Sequence, residues 1–292
     1  MKSILVPIDF LPPAENAAHY ALKLAQVLGA DLTLCHSFIV PIETPIQQVG
    51  WPAYEYSEMQ KSTLEELNEL AVLLKKQEQS YAGNDSSLKP LITCKSEGGT
   101  VSDLVHHLVR DPIQTMIVLG MAGAGAISRF FLGSISHHLI NHSPVSLLLI
   151  PNGVKLEKIK RIAFATDLRD EDLEVIRSLT GLAEKYDADL VISNVTDEWE
   201  NEQQHHEKER LFLDHLMTSI NYPNFYMRNI SSVDIEDGLE ELSREYKIDM
   251  MVMVHRNNSF MNRLFKGSFS QDLARHIKIP LMVIPENLWP VF

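Results

Sequence analysis

Cysteine is almost absent from this chain: Cys35 and Cys94 are the only two in 292 residues. Both fall in apolar, strand-like segments, which argues against a disulfide scaffold and for two buried thiols in a reducing compartment, the cytoplasm. Long apolar runs are missing as well. No stretch approaches the roughly 20 residues of a membrane-spanning helix. The opening MKSILVPIDF passes from strand to turn without a signal-peptide core. Basic charge is scarce, with 26 Lys and Arg against 39 Asp and Glu and a net charge of −13. Residues 1–151 carry 9 basic and 14 acidic side chains and the remainder 17 and 25, so neither half is a basic module. A sequence-independent grip on nucleic acid or on an anionic membrane needs clustered Lys and Arg. An acidic protein can still hold an anion where backbone dipoles face it.

Catalytic signatures are also lacking. There is no Walker lysine, no G-x-S-x-G elbow, no H-E-x-x-H, no Cys-x-x-Cys and no HIGH-type histidine motif. Twelve histidines are present, but the neighbours His106-His107, His137-His138 and His205-His206 project about 100° apart on a helix, which suits no shared metal ion. His138 and His142 have i, i+4 spacing without an evident third ligand. No metal site is expected. The acidic run Asp197–Glu209 reads as a solvated face.

What the chain does have is a duplication. Residues 2–8, KSILVPI, lead to Asp9, and residues 160–166, KRIAFAT, lead to Asp167. Residues 133–151 and 267–285 are 19-residue copies that begin Gly-Ser and end Ile-Pro. The order of landmarks is the same in both halves, which places the repeats at 1–152 and 153–292. The first repeat is longer, and the extra length falls in Val40–Thr63. Each half alternates short apolar strands with amphipathic helices. Strands are expected at Ile4–Ile8, Asp31–Phe38, Leu88–Lys95, Thr115–Leu119 and Val145–Ile150, with counterparts near Arg161–Ala165, Asp189–Val195, Asn224–Asn229, Met250–Val254 and Leu281–Ile284. That pattern implies an α/β fold with a parallel sheet covered on both faces. The methionines at 250, 251 and 253 are expected in its core.

The run GMAGAGAISRFFLGS, Gly120–Ser134, follows the apolar stretch Thr115–Leu119. Read as strand, glycine loop and helix start, it is a phosphate cradle: glycines let backbone N–H groups approach an anion, and the helix at Ser134 adds unpaired donors. Ser134 and Ser136 can add hydroxyls. In an open parallel sheet the ligand crevice lies beyond the strand ends where strand order reverses. Asp9 would face the glycine loop there if strands one and four are neighbours, and its carboxylate suits ribose hydroxyls. Asp9 also reads as a turn or cap residue, and the two roles can coexist.

The spacing G-x2-G-x9-G-S at Gly120, Gly123, Gly133 and Ser134, with the segments ILVPIDF, TLCHSF and SPVSLLLI, resembles the universal stress protein family in its tandem form. The resemblance implies two Rossmann-like (adenine nucleotide alpha hydrolase-like) domains, each a five-stranded parallel-type sheet flanked by helices. It implies binding of ATP or a related adenine nucleotide, with or without magnesium. By the same resemblance the contacts map onto Pro7, Ile8, Asp9, Ser37, Leu119, Gly120, Met121, Gly123, Gly133, Ser134, Ile135 and Ser136. The nucleotide is expected to act as a signal or structural ligand with little turnover. A nucleotide-free protein–protein adaptor and a slow ATPase are the alternatives. Single-domain relatives pair through their last strands, so the two repeats are expected to pair within the chain, and a further homodimer can form. Leu11 and Ala14 stand where the family often has Ser, and Met121-Ala122 replaces a more polar pair, leaving recognition to the backbone.

The second half keeps Asp167, Gly267 and Ser268 and loses the first glycines. Counting back from Gly267 puts Asn257 at the place of Gly123 and, with one residue deleted, His255 or Arg256 near that of Gly120. This site reads as degenerate. The rival reading is a side-chain anion site of Arg256, Arg263 and Lys266.

Overall fold

The computed structural model describes residues 2–39, 53–81, 89–109, 114–121, 134–196, 202–232, 235–256, 278–286, 288, 290 and 292. The chain divides into two compact units, Met1–Gly120 and Met121–Phe292.

The first unit runs β1 (Ser3–Pro7), α1 (Pro12–Leu28), β2 (Asp31–Phe38), α2 (Ala53–Tyr81), β3 (Ile92–Gly98), α3 (Val101–Leu108) and β4 (Gln114–Met121), whose last residue opens the second unit. Its strands lie in the order β3-β2-β1-β4 and all pair in parallel. Ile4, Leu5 and Val6 are fully buried, as expected of a central strand covered on both faces. α1 buries Ala17, Ala21, Leu24, Ala25 and Leu28 on one face. It stops at Gly29, whose φ of 65° allows its N–H to cap the carbonyl of Ala25. α3 is opened by Thr100, whose hydroxyl accepts from the Asp103 N–H at 3.1 Å while donating to the Asp103 carboxylate at 2.7 Å.

β3 begins at Ile92, later than hydropathy suggests. Pro90 has no N–H to give a ladder, and the Leu91 N–H is taken by the Asp31 carboxylate at 2.9 Å. β3 has one strand neighbour in its unit, so Cys94 on it is half-buried rather than buried, while Cys35 in β2 is fully enclosed. Burial pushes both thiols above their ordinary pKa.

The second unit runs α4 (Ser134–His142), β5 (Ser146–Pro151), β6 (Arg161–Ala165), α5 (Asp172–Tyr186), β7 (Asp189–Thr196), α6 (Glu202–Ser219), β8 (Phe225–Ser231), α7 (Ile235–Glu245), β9 (Met250–His255) and β10 (Leu281–Pro285). Its strand order is β5-β10-β9-β6-β7-β8. Met250, Met251 and Met253 are fully buried, as the strand pattern predicts. Every pairing is parallel except β5 with β10, which is antiparallel: Leu281 faces Leu149, Met282 faces Leu148 and Val283 faces Leu147. β5 and β10 are the closing strands of the two sequence repeats, so their pairing is that expected between the repeats. In the duplicated segments Leu148 corresponds to Met282. The pairing is therefore two-fold symmetric about that one pair, like an isologous dimer contact within a single chain. It also explains why the compact division falls before β5 rather than near residue 152.

The described residues hold no helix long and apolar enough to cross a membrane.

Candidate functional site

Strand order reverses beside β1: β2 and β3 lie on one side of it and β4 on the other. That is the switch point at which open parallel sheets bind ligands. The neighbourhood of β1 and β4 is the one the sequence requires for a crevice between Asp9 and the glycine loop.

At the exit of β1, the Ile8 N–H continues the ladder to the Cys35 carbonyl at 2.7 Å. The Ile8 carbonyl accepts from His36 Nδ1, also at 2.7 Å. Asp9 is exposed, and its Oδ1 accepts from the Leu11 N–H at 3.0 Å, so it does hold a turn. Phe10 between them has φ 59°, a left-handed conformation rare for a bulky residue, and its ring packs against His36 at 4.9 Å. Pro7 and Ser37 are half-buried and Ile8 is buried.

α1 starts with Pro12-Pro13, which supply no N–H groups, so its first turn offers an anion fewer donors than a typical helix. At the end of β4, Leu119 is buried, and a Cβ on Gly120 would stand 2.1 Å from the Pro13 carbonyl oxygen. Gly120 is glycine because the α1 backbone crosses there. Met121 is buried. Gly123 and Gly133 lie outside the described residues. Ser134 and Ile135 open α4, at the helix start expected from the motif, and Ser136 is half-buried in its first turn.

The second repeat keeps the backbone of this exit. Strand pairing sets Ser3 opposite Asp31 and Arg161 opposite Asp189, so these copies are 158 positions apart throughout. The Thr166 N–H bonds the Ser193 carbonyl at 2.8 Å, the Thr166 carbonyl accepts from Asn194 Nδ2 at 2.6 Å, and Leu168 has φ 57°. These repeat Ile8 with Cys35, Ile8 with His36, and Phe10.

Between β4 and β9 the register corrects the sequence alignment. Ile4 pairs with Met116 and Ile162 with Met250, so the copies are 134 positions apart, the same interval as from Gly133 to Gly267. No residue is deleted. Val254 stands at the place of Gly120, His255 at that of Met121 and Arg256 at that of Ala122.

Arg256 is 5% exposed and bonded to the fully buried carboxylate of Asp172, with Asp167 3.8 Å away. Its charge is held by carboxylates, so it is not the anion site of the rival reading. Arg263 and Lys266 lie outside the described residues. His255 bonds the Asn141 side chain at 3.2 Å.

Burial raises the pKa of Asp167, the Asp172 carboxylate adds to the rise, and Arg169, Arg256 and Lys208 oppose it. A carboxyl that holds its proton more tightly in the fold adds stability at low pH, and that contribution is lost as the pH rises through its raised value. Asp167→Asn is therefore expected to raise the melting temperature at neutral pH. The gain should shrink as the pH falls through the raised value, where the wild-type carboxyl takes up its proton. A variant less stable than wild type at neutral pH would contradict this.

The histidine pair His138 and His142 stacks at 4.4 Å between ring centroids, and His142 Nδ1 bonds the His138 carbonyl at 2.9 Å. Among the described residues no group of three or more His, Cys, Asp or Glu could hold a metal ion. Sequence reading alone missed Thr166, Asp172 and His36. The first two would have emerged from aligning the repeats residue by residue, since they replace Ile8 and Ala14.

Comparison with known proteins agrees with the fold and the duplication. The model of the universal stress protein family matches residues 1–151 and again 158–285. A universal stress protein of Mycobacterium bovis is 27% identical over 156 residues, 51% of this chain and 47% of that protein. The chain thus spans about half the length of such relatives. A putative universal stress protein of Staphylococcus epidermidis is 26% identical over 149 residues, 51% of this chain and 83% of that one. The crystal structure of a universal stress protein from Archaeoglobus fulgidus superimposes with a TM-score of 0.63 over 97% of this chain and 96% of its own, at 15% identity. With the family pattern matched once in each half, on a sheet that reverses beside β1 and closes through paired last strands, this chain belongs to the universal stress protein family.

Proposed function

We propose that the first repeat, residues 1–152, binds an adenine nucleotide, and that the second, residues 153–292, is a diverged partner that does not. The observation that carries this reading is the spacing Gly120, Gly123, Gly133, Ser134 in a segment that begins at the end of β4, beside β1. In this reading Asp9 accepts from the ribose hydroxyls. The backbone around Leu119, Gly120, Met121 and Gly123, with the α4 start at Gly133, Ser134, Ile135 and Ser136, receives the phosphates. Pro7, Ile8 and Ser37 flank the base. The sequence carries no Walker lysine and no HIGH-type histidine motif, which supports a signalling or structural ligand over a substrate. The protein then works in the cytoplasm in the response to stress, with magnesium needed only if a triphosphate is held.

The test is the small-molecule content of freshly purified protein, released by acid and identified by mass spectrometry. Adenine nucleotide near one per chain is the expected result, and its phosphate count tells ATP from its hydrolysis products. Gly123→Val should remove that nucleotide while the circular dichroism spectrum stays unchanged; retained nucleotide would sink the loop assignment. Protein that is empty and shows no thermal shift with ATP and magnesium would point instead to an adaptor.

A further inference from the structure

Three side chains on three separate elements distinguish the second crevice from the first. Ile8, Ala14 and Ala122 of the first repeat correspond to Thr166, Asp172 and Arg256 in the second, by the intervals that strand pairing fixes. One turn bond is shared: Ala14 N–H bonds the Leu11 carbonyl and Asp172 N–H the Arg169 carbonyl, each at 3.0 Å, although α1 begins two positions earlier in its repeat than α5 does. Every one of the three differences puts a polar group where the first repeat has an apolar one, and Asp172 bonds both of the others. Thr166 Oγ1 donates to Asp172 Oδ2 at 2.6 Å and accepts from the Leu168 N–H at 2.8 Å. The other Asp172 oxygen takes a hydrogen bond from Arg256, and Asp167 approaches the same guanidinium. Thr166, Asp172 and Arg256 are 1%, 0% and 5% exposed. Side chains this polar are buried so deeply only when they satisfy one another.

Among the described residues a cavity of about 70 Å³, lined by Arg169, Val175, Val254 and Arg256 among others, lies at this end of β9. Val254, where the first repeat has Gly120, adds further bulk.

We propose that Arg256 is a built-in ligand of the second repeat: its guanidinium fills the crevice in place of an exogenous molecule, held by the hydrogen-bonded carboxylate of Asp172, with Asp167 3.8 Å away. Thr166 positions Asp172 by donating to the oxygen that Arg256 does not use. The second repeat is thereby locked in a liganded form that needs no nucleotide. The proposal does not depend on what the first repeat binds.

Its test is chemical rescue. Arg256→Ala leaves two carboxylates around a guanidinium-shaped hole and should lower the melting temperature by roughly 10 °C. Guanidinium chloride at millimolar concentration, far below denaturing levels, should restore at least half of that loss. Sodium chloride or urea at equal concentration should restore none. An unchanged melting temperature, or guanidinium no better than sodium, would overturn the proposal. If Arg256→Ala does not fold, the comparison passes to Arg256→Met and Arg256→Met/Asp172→Leu, since the double variant leaves no carboxylate at position 172 to be stranded. The double variant should melt above the single one, and a double variant that melts at or below it overturns the proposal. Equilibrium dialysis of the wild type against ATP separates the two readings. Two nucleotides per chain would overturn this one, one supports both, and none supports this one while removing the first repeat's.

Discussion

Replacing Gly120 by alanine is expected to cost the protein roughly 3 kcal/mol of stability, seen as a lower midpoint in urea denaturation. The added Cβ would stand 2.1 Å from the Pro13 oxygen, 2.3 Å from its carbonyl carbon and 2.8 Å from the Ala14 nitrogen. All three are backbone atoms of the first turn of α1, so no side-chain rotation relieves the clash. The helix must move away from β1 and β4, and its buried alanine face loses contact as it does. Gly181, in the middle of α5, is the control. A Cβ there meets only the Phe292 oxygen at 3.8 Å, and Gly181→Ala should stabilise by about 0.5–1 kcal/mol because alanine favours a helix. Opposite signs at the two glycines are the expected outcome. A Gly120→Ala midpoint equal to wild type would mean that α1 does not cross the end of β4 as closely as described.

Leu148→Asp should be at least as damaging, by about 4 kcal/mol or more, with loss of soluble protein as the simplest readout. Leu148 is fully buried between neighbours of the same kind, with Leu147, Leu149 and Ile150 also at zero exposure. A carboxylate there leaves water with no donor waiting for it. Because Leu148 faces Met282 on the local two-fold of the β5–β10 pair, Met282→Asp should be equally severe. Two aspartates of very different effect would show that the pairing is not symmetric in energy.

Much of the fold was legible because its signals are local. The β-branched strands and the alanine face of α1 follow from spacing alone, and the strand-four helix start at Ser134 follows from the glycine motif. β3 was displaced because Pro90 and the Asp31 carboxylate act on the backbone, which hydropathy does not register. The half-buried state of Cys94 depends on which strand lies at the end of the order, a fact of topology rather than composition. In the candidate site, Asp9 was visible from its place after an apolar run. The match of Val254 to Gly120 needed the β6–β9 register, since gaps in a weak alignment can be placed freely while hydrogen-bonded pairs cannot. The rival reading of Arg256 as an anion ligand arises because its carboxylate partners are distant in sequence: Asp172 lies 84 residues away.

The unbroken interval of 158 positions between the two β1-α1-β2 segments means that neither has gained or lost a residue relative to the other. Both also keep the left-handed residue after the aspartate, Phe10 in one and Leu168 in the other. The two segments differ in their side chains and in the first turn of the helix, which begins at Pro12 in one and at Asp172 in the other, on strands and exits of equal length. The two segments are interchangeable parts in the engineering sense: residues 2–38 and 160–196 can be exchanged without altering a loop length. A chain that once held two equal sites could have retired one of them by point substitutions alone, and the same few positions mark the route by which it could be reopened.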